Sequence, residues 1–164
     1  MSTATLQRIN SGQAGVPLTF CCVEARDGGM DFDGALGIVP QDGTYQVDMI
    51  INVSLYDTPT PVGVLGLIYL QTYNSDLSVR LRYLPEVSLN PLQNLPPLGG
   101  AGVSQRQMTF TATWSIVPLS QGDRVGILVD NRSSTYMDFS GKMMEVSYHS
   151  AITDLSLCGG GGSG

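Results

Sequence analysis

The sequence predicts an all-β protein built from short antiparallel strands, because its apolar residues recur at every second position and no stretch has the helical period. The clearest segment is 107–129, in which an alternating strand, a polar turn and a second alternating strand follow one another. Pro118 interrupts the alternation, since proline has no N–H to donate to a sheet. About eight such strands fold as a sandwich, a jelly roll or a barrel, and composition does not choose among them. The apolar face of the first strand in this segment consists of Met108, Phe110, Ala112, Trp114 and Ile116.

The remaining strands follow the same alternation along the chain. Polar residues 1–16 predict a flexible N-terminal arm, and a single folded domain is expected over 17–150. The most regular strand covers 45–55, where the odd-numbered residues are apolar and most even-numbered ones are polar. Prolines and glycines over 85–104 predict a long ordered loop. Further strands are predicted over 18–22, 30–38, 62–73, 77–83 and 136–148, the last with a bulge near Met143 and Met144.

The two ends of the chain show neither strand pattern nor targeting signal. The start, MSTATLQRIN, has no apolar core of the kind that a secretory signal needs. Residues 151–158 are expected to form a C-terminal tail. The Gly/Ser run 159–164 has the composition of a flexible linker and is left out of the fold prediction.

The charge and hydropathy patterns argue against two classes of partner. The formal net charge is −6 and the eight Lys and Arg residues are scattered singly, so no basic patch is available to neutralise a nucleic-acid backbone. The longest apolar run, 62–70, is interrupted by glycines and is far shorter than the roughly 20 residues that a membrane-spanning helix requires. We therefore expect no nucleic-acid binding and no membrane insertion.

Three short runs occur in an informative order within residues 17–148: IVPQDGTYQVDM, LSQGDRVGILV and DFSGKMM. In their order and spacing they resemble the globular head of complement component C1q and its relatives in the C1q/TNF superfamily. The residues that match the family's motifs are Pro40, Gly43, Tyr45, Leu119, Gly122, Asp123, Val125, Phe139, Ser140 and Gly141.

The resemblance implies a two-sheet antiparallel jelly roll that assembles as an extracellular homotrimer and binds a protein or glycan partner without catalysis. The motif residues also have roles that depend only on their chemistry. Gly43 and Gly122 allow positive φ in turns, Asp123 can accept hydrogen bonds from turn amides, and Gly141 lets a neighbour approach the last strand. The chain departs from the family at Gly37, where an aromatic residue is usual, in its Pro-rich insertion, and in having no collagen-like repeat before the domain.

Several aspartates suggest a metal site. Asp31, Asp33 and Asp42 span a twelve-residue window, and relatives of C1q hold calcium through loop carboxylates, so a calcium site at these residues or at Asp57 is one interpretation. The EF-hand pattern is not met, because Leu36 stands where the loop needs glycine and Asp42 where it needs glutamate. The favoured alternative is a solvated acidic rim with no cofactor.

The segment 62–70 is apolar on both faces of its predicted strand. Such a strand lies in the centre of a two-layer core or against another chain. We take Val64, Leu65, Leu67 and Tyr69 as candidates for a trimer interface. The alternative is that the Pro-rich segment of the same chain covers the strand.

Two arginines and two Asn-x-Ser triplets are further candidates for binding or modification. Arg80 and Arg82 alternate on one strand and are candidates for binding a carboxylate or an anionic sugar of a partner, although such pairs more often keep an outer face solvated. The triplets begin at Asn52 and Asn131. Only Asn131 is expected in a loop, where a glycosylation acceptor is normally found.

The reactive side chains argue against an enzyme. The single histidine, His149, has no motif serine or cysteine beside it, and no nucleophile elbow or phosphate-binding loop occurs. Cys21 and Cys22 are adjacent and Cys158 lies in the tail, so free thiols are expected, with a cross-link between chains through Cys158 left open. A recognition head is the leading hypothesis. The alternative is a structural viral or phage protein on a particle surface, such as a fibre head, capsid or decoration domain.

Overall fold

The fold is all-β, as predicted. The computed structural model describes residues 6–20, 22–26, 30–33, 35–57, 65–89 and 104–150, and these residues form two antiparallel sheets that pack against each other and contain no helix. The predicted tail 151–158, the linker 159–164, and most of the predicted loop lie outside the described residues.

The described residues form eleven strands in two sheets. In chain order the strands are β1 (Gln7–Ile9), β2 (Val16–Pro17), β3 (Cys22–Arg26), β4 (Asp31–Asp33), β5 (Leu36–Ile38), β6 (Gly43–Asp57), β7 (Gly66–Tyr73), β8 (Val79–Leu89), β9 (Ser104–Leu119), β10 (Arg124–Asn131) and β11 (Met137–Ser150). The first sheet has the order β1-β11-β6-β9, and β3 adds to β11 as a parallel strand. The second sheet has the order β4-β5-β10-β7-β8, and β2 adds to β10.

The strand pairing is nested about the middle of the chain. The innermost pair is β7 with β8, followed outward by β6 with β9, β5 with β10 and β1 with β11. A long antiparallel ribbon that folds over on itself produces this order and divides its strands between two layers. The topology is therefore compatible with a jelly roll.

The core lies between the two sheets and is supplied by alternate residues. On β6 every odd-numbered side chain from Tyr45 to Leu55 is no more than 2% exposed. Ile68 and Leu70 of the second sheet belong to the same buried cluster. Each such apolar side chain contributes about 1.5 to 3 kcal/mol when it is fully buried. The predicted alternation on this strand is confirmed.

The N-terminal segment belongs to the sandwich, whereas the sequence predicted a flexible arm before residue 17. β1 pairs with β11, and Ile9 is fully buried. The N–H of Leu18 donates to the carbonyl of Ile127 at 2.8 Å, and the carbonyl of Gln13 accepts the N–H of Asn131 at 2.8 Å. The polar composition of this segment predicted an arm, but its main chain is held by hydrogen bonds to the second sheet.

Two prolines lie inside strands, and the strands that contain them are longer than the sequence predicted. Pro118 pairs with Thr44 within β9, and Pro85 lies in β8 where the pairing with β7 is irregular. Each strand ends the order of its sheet, so the missing N–H has no ladder bond to break. Consequently β9 runs to Leu119, and β8 extends into the predicted loop as far as Leu89.

The residues of the family motifs stabilise turns and the core. Gly122 has a φ of +89°, as predicted for a tight turn. Gly43, in contrast, is the first residue of β6 and does not have the positive φ that the sequence predicted. Tyr45 is buried and its hydroxyl donates to the carbonyl of Gln41 at 2.7 Å. The motif residues that are fully buried are Leu119, Val125 and Phe139.

A bulge in β11 contains Gly141. The register of β11 against β6 shifts between Ser140 and Met143, slightly before the position that the sequence predicted. Gly141 has a φ of +55°, and a Cβ on it would lie 2.5 Å from Nδ2 of Asn52. Both the backbone conformation and the close approach of this amide therefore require glycine.

We expect Gly141→Ala to destabilise the fold more than Gly12→Ala. Gly12 also has a positive φ, +80°, but an added Cβ there meets nothing within 4 Å. Gly12→Ala should therefore cost only the backbone strain, about 1 kcal/mol. Gly141→Ala should cost about 1 to 2 kcal/mol more, because the Asn52 amide must move. Urea unfolding of both variants measures the difference, and equal losses would contradict the steric argument.

Candidate functional site

The outer face of the second sheet is covered around Tyr69 by residues of the same chain. Leu67, Tyr69 and Leu128 form a small buried cluster there, and the Arg82 guanidinium lies 3.6 Å from the centre of the Tyr69 ring. β7 lies between β10 and β8, with its other face toward the main core. Its apolar residues on both faces are thus accounted for within one chain.

The interface candidates on this strand are buried in the chain itself. Leu65, Leu67 and Tyr69 are 7%, 8% and 4% exposed, and Leu65 is part of the main core. Val64 lies outside the described residues. These side chains do not present an open apolar surface to another copy.

Tyr69 anchors the N-terminal segment through Asp130. The Tyr69 hydroxyl donates to Oδ1 of Asp130 at 3.1 Å, and the same oxygen accepts the N–H of Gly15 at 2.7 Å. Burial and, to a smaller extent, the negative charge of Asp130 together raise the pKa of Tyr69 to about 12. The contact is structural and occupies the surface that the sequence offered for trimerisation.

The two arginine candidates have separate structural roles. Arg80 forms an ion pair with Oδ2 of Asp123, an oxygen that also accepts the N–H of Ser120 at 2.9 Å. This confirms that Asp123 accepts a hydrogen bond from a turn amide. The register of β8 shifts at Arg80, since Thr72 pairs with Leu81 and Tyr73 with Val79. Because of this shift, Arg80 contacts the turn, whereas Arg82 lies over Tyr69, and the two do not converge.

The aspartates proposed for calcium do not form a recognisable site in the described residues. Asp42 accepts the N–H of Gln121 at 2.7 Å and so connects two turns. Asp31 is exposed on β4, and the side chains of Asp33 and Asp57 lie outside the described residues. No group of three or more His, Cys, Asp or Glu residues within the described ranges could hold a metal ion.

The Asn131 side chain forms a structural junction. It is 2% exposed, and its Nδ2 donates to the carbonyls of Ile9 at 3.0 Å and Thr135 at 2.9 Å. Its Oδ1 accepts the N–H of Ser133 at 2.9 Å and the hydroxyl of Ser133 at 2.7 Å. The nitrogen that glycosylation would modify is thus buried and fully used.

The outer face of the first sheet remains open and carries exposed apolar residues. Ile50 on β6 and Met143 on β11 are directly opposite each other and are 44% and 43% exposed. Ile116 on neighbouring β9 is 57% exposed. His149, also exposed, has its Nε2 3.2 Å from Oε1 of Gln46. The same sheet also contains a cavity. It begins at Asn52, two residues along β6 from Ile50.

This cavity has a volume of about 260 Å³ and spans three strands. It lies where β9, β6 and β11 pair side by side, next to the Gly141 bulge. The sequence did not group its lining residues, because most of them are ordinary polar positions of separate strands, and Asn52 was noted only as the start of an Asn-x-Ser triplet. The residues that line it are Asn52, Ser54, Gln107, Met108, Thr109 and Ser140.

The polar groups of the cavity are oriented by hydrogen bonds between neighbouring strands. The Thr109 hydroxyl donates to Oδ1 of Asn52 at 2.7 Å, and Nε2 of Gln107 donates to the hydroxyl of Ser54 at 3.3 Å. These bonds hold each amide against a hydroxyl of the neighbouring strand, and a hydroxyl can pair with either end of an amide. The cavity therefore presents uncharged groups that both donate and accept.

Comparisons with known proteins add no identification. No protein-family model matches the chain, and no curated protein is significantly similar to it. The described residues also form no helix that is long and apolar enough to cross a bilayer. Function has to be argued from the sheet faces and the cavity.

We expect Asn131→Asp to lower the free energy of unfolding by about 3 kcal/mol. The carboxylate has the same shape but faces the carbonyls of Ile9 and Thr135 without a hydrogen to donate. Asn10→Asp is a matched control, because the side chain at this position is exposed. Chemical denaturation compares the two, and a loss below about 0.5 kcal/mol for Asn131→Asp would exclude the junction role.

Alkaline pH should weaken the contact between Tyr69 and Asp130. The folded-state pKa of Tyr69 is about 12, above its usual value of 10.0, so the stabilisation is complete below pH 10 and is lost as the pH rises through 12. Tyr69→Phe should lower the stability at neutral pH and make it decline less between pH 10 and 12. The measurement is urea unfolding at several pH values, and an unchanged slope would rule out Tyr69 as the titrating group.

Proposed function

We propose that this chain is a non-enzymatic homotrimeric head of the C1q/TNF-like kind that recognises a protein or glycan partner. Two observations support the family assignment: the three motif runs of the sequence, and a nested strand order that is compatible with a jelly roll. The self-association is supported by the contrast between the two outer sheet faces.

The observation that carries the proposal is the open face of the first sheet. Ile50 and Met143 form an exposed apolar pair in the middle of this face. On the second sheet the centre of the outer face is covered, since Arg82 and Leu128 pack on Tyr69, and exposed apolar residues occur on β8, where Val79 and Leu81 are 60% and 50% exposed. An apolar pair on a flat sheet gains free energy when a second copy covers it. We therefore place the trimer contact at Ile50, Met143 and Ile116 instead of on β7.

A trimeric head would present its ligand sites three at a time. Individual sites on such a head bind weakly, because an exposed site gains little from each contact after the cost of association. Linking three of them on one rigid body raises the apparent affinity by an effective-concentration effect without any new contact. Multivalency would thus give this small domain a useful strength of binding.

The test of self-association is the mass of the protein and of two charge variants. The wild type should have three times the monomer mass of 17.5 kDa in light scattering coupled to size exclusion. Ile50→Glu should be monomeric, because it places a carboxylate in the proposed contact. Leu81→Glu is the control: Leu81 is 50% exposed and lies on the second sheet, so this variant should remain a trimer.

Two results would refute the trimer. One is a monomer mass for the wild type at micromolar concentration. The other is dissociation of both variants to the same extent, which would mean that added charge alone lowers the mass. Circular dichroism of each variant verifies that the strands are intact.

A further inference from the structure

The cavity on the open face holds three polar groups without protein partners. Asn52, Gln107 and Ser140 line it, and Nδ2 of Asn52, Oε1 of Gln107 and the hydroxyl of Ser140 have no hydrogen-bond partner in the described part of the chain. They supply respectively a donor, an acceptor and a group that can do both. A ligand that pairs with all three must carry donors and acceptors close together.

The Asn52 donor is held in place from two sides. The hydroxyl of Thr109 donates to its oxygen, and the nitrogen is at the opposite end of the amide. That nitrogen lies against Gly141, where an added Cβ would be only 2.5 Å from it. The bulge in β11 therefore makes room for an oriented amide, and little side-chain entropy remains to be lost when a ligand binds.

The Gln107 acceptor is oriented in the same manner. Its nitrogen donates to Ser54, which is 8% exposed, and its oxygen is left to face the cavity. Ser140 lies on β11 and is paired with Asn52. The donor and acceptor groups thus come from three strands whose register is set by the sheet.

The lining excludes charged ligands. None of the residues that line the cavity is charged, and the whole chain has a net charge of −6. An anionic ligand would find no cation to pair with and would be repelled over a distance. A cationic ligand would find no carboxylate in the lining. The complementary ligand is therefore uncharged and rich in hydrogen-bonding groups.

The cavity also lacks the features by which proteins bind peptides. Peptides add to an open sheet edge, place an apolar helix face in an apolar groove, lay proline rings on aromatic residues, or pair with arginine clusters. This cavity lies on the face that β9, β6 and β11 form together, and has no aromatic residue or arginine in its lining. Its volume of about 260 Å³ is just under the usual range of about 300 to 1,000 Å³ for small-molecule sites.

From these features we infer that the cavity binds one residue of a neutral saccharide. Adjacent sugar hydroxyls each donate and accept, which matches the pattern of Asn52, Gln107 and Ser140. The inference specifies the ligand of the proposed recognition role and rests on it. Because Asn52 is two residues from Ile50 on β6, the sugar site borders the proposed trimer contact.

The experiment is a titration of the full chain with free neutral monosaccharides, namely galactose, glucose, mannose and N-acetylglucosamine, followed by NMR. Free monosaccharides report the affinity of each site independently of avidity. At least one of them should shift the amide signals around Asn52, Gln107 and Ser140. Asn52→Asp and Gln107→Glu should each weaken that binding at least tenfold. Each substitution keeps the shape of the side chain and adds a negative charge. Asn52→Asp also removes the hydrogen-bond donor of the amide.

Gln46→Glu is the matched control, because Gln46 lies on β6 outside the cavity lining, and it should bind as the wild type does. The monomeric variant Ile50→Glu should also retain the affinity for each site. The inference is overturned if none of the four sugars binds, if sialic acid binds more tightly than they do, or if the cavity variants bind normally. A wrong trimer proposal would appear instead as a monomer mass in light scattering. The two proposals can therefore be refuted independently of each other.

Discussion

Burial of one face of β6 is the constraint on which the rest of the structure depends. This strand lies between β11 and β9 and buries every second side chain against the opposite sheet. Since side chains alternate strictly, burial of the odd-numbered residues requires the even-numbered ones to face outward. The same register that forms the core therefore positions Asn52, Ile50 and Asp48 on the open face. Stability and the candidate site share one geometric cause.

The two outer faces differ in their centres, because the chain covers the apolar residues around Tyr69 on the second sheet but not Ile50 and Met143 on the first. On the second sheet, Leu67, Tyr69 and Leu128 pack together, and Tyr69 and Gly15 meet at Asp130. The N-terminal segment thereby closes a surface that would otherwise be apolar and exposed. The first sheet has no comparable cover over Ile50 and Met143 within the described residues. Its outer face is left for other molecules, and it contains the polar cavity as well.

The regular strands could be predicted from the sequence because alternation is a local signal. The strand over 45–55 and the hairpin over 107–129 are both present, and the bulge in β11 lies close to its predicted place. The N-terminal segment was not recognised, since its polar residues are held by Asn131 and Asp130, more than a hundred positions away. Pro85 and Pro118 were given too much weight as residues that interrupt strands, because a proline is tolerated in a strand at the edge of a sheet.

The sequence by itself determined the fold class and most of the inward-facing residues, because both follow from a period of two along the chain. Ile116 is an exception: the alternation placed it on the apolar face, but it is 57% exposed, because the register of β9 against β6 shifts between Trp114 and Val117. Only the tertiary structure decided which outer face stays open and what lies on it. Asn52, Gln107 and Ser140 belong to separate strands, and long-range pairing brings them together around Gly141. Burial likewise depends on contacts between distant segments, so Tyr69 is covered while Ile50 is exposed, although both are apolar positions of similar strands.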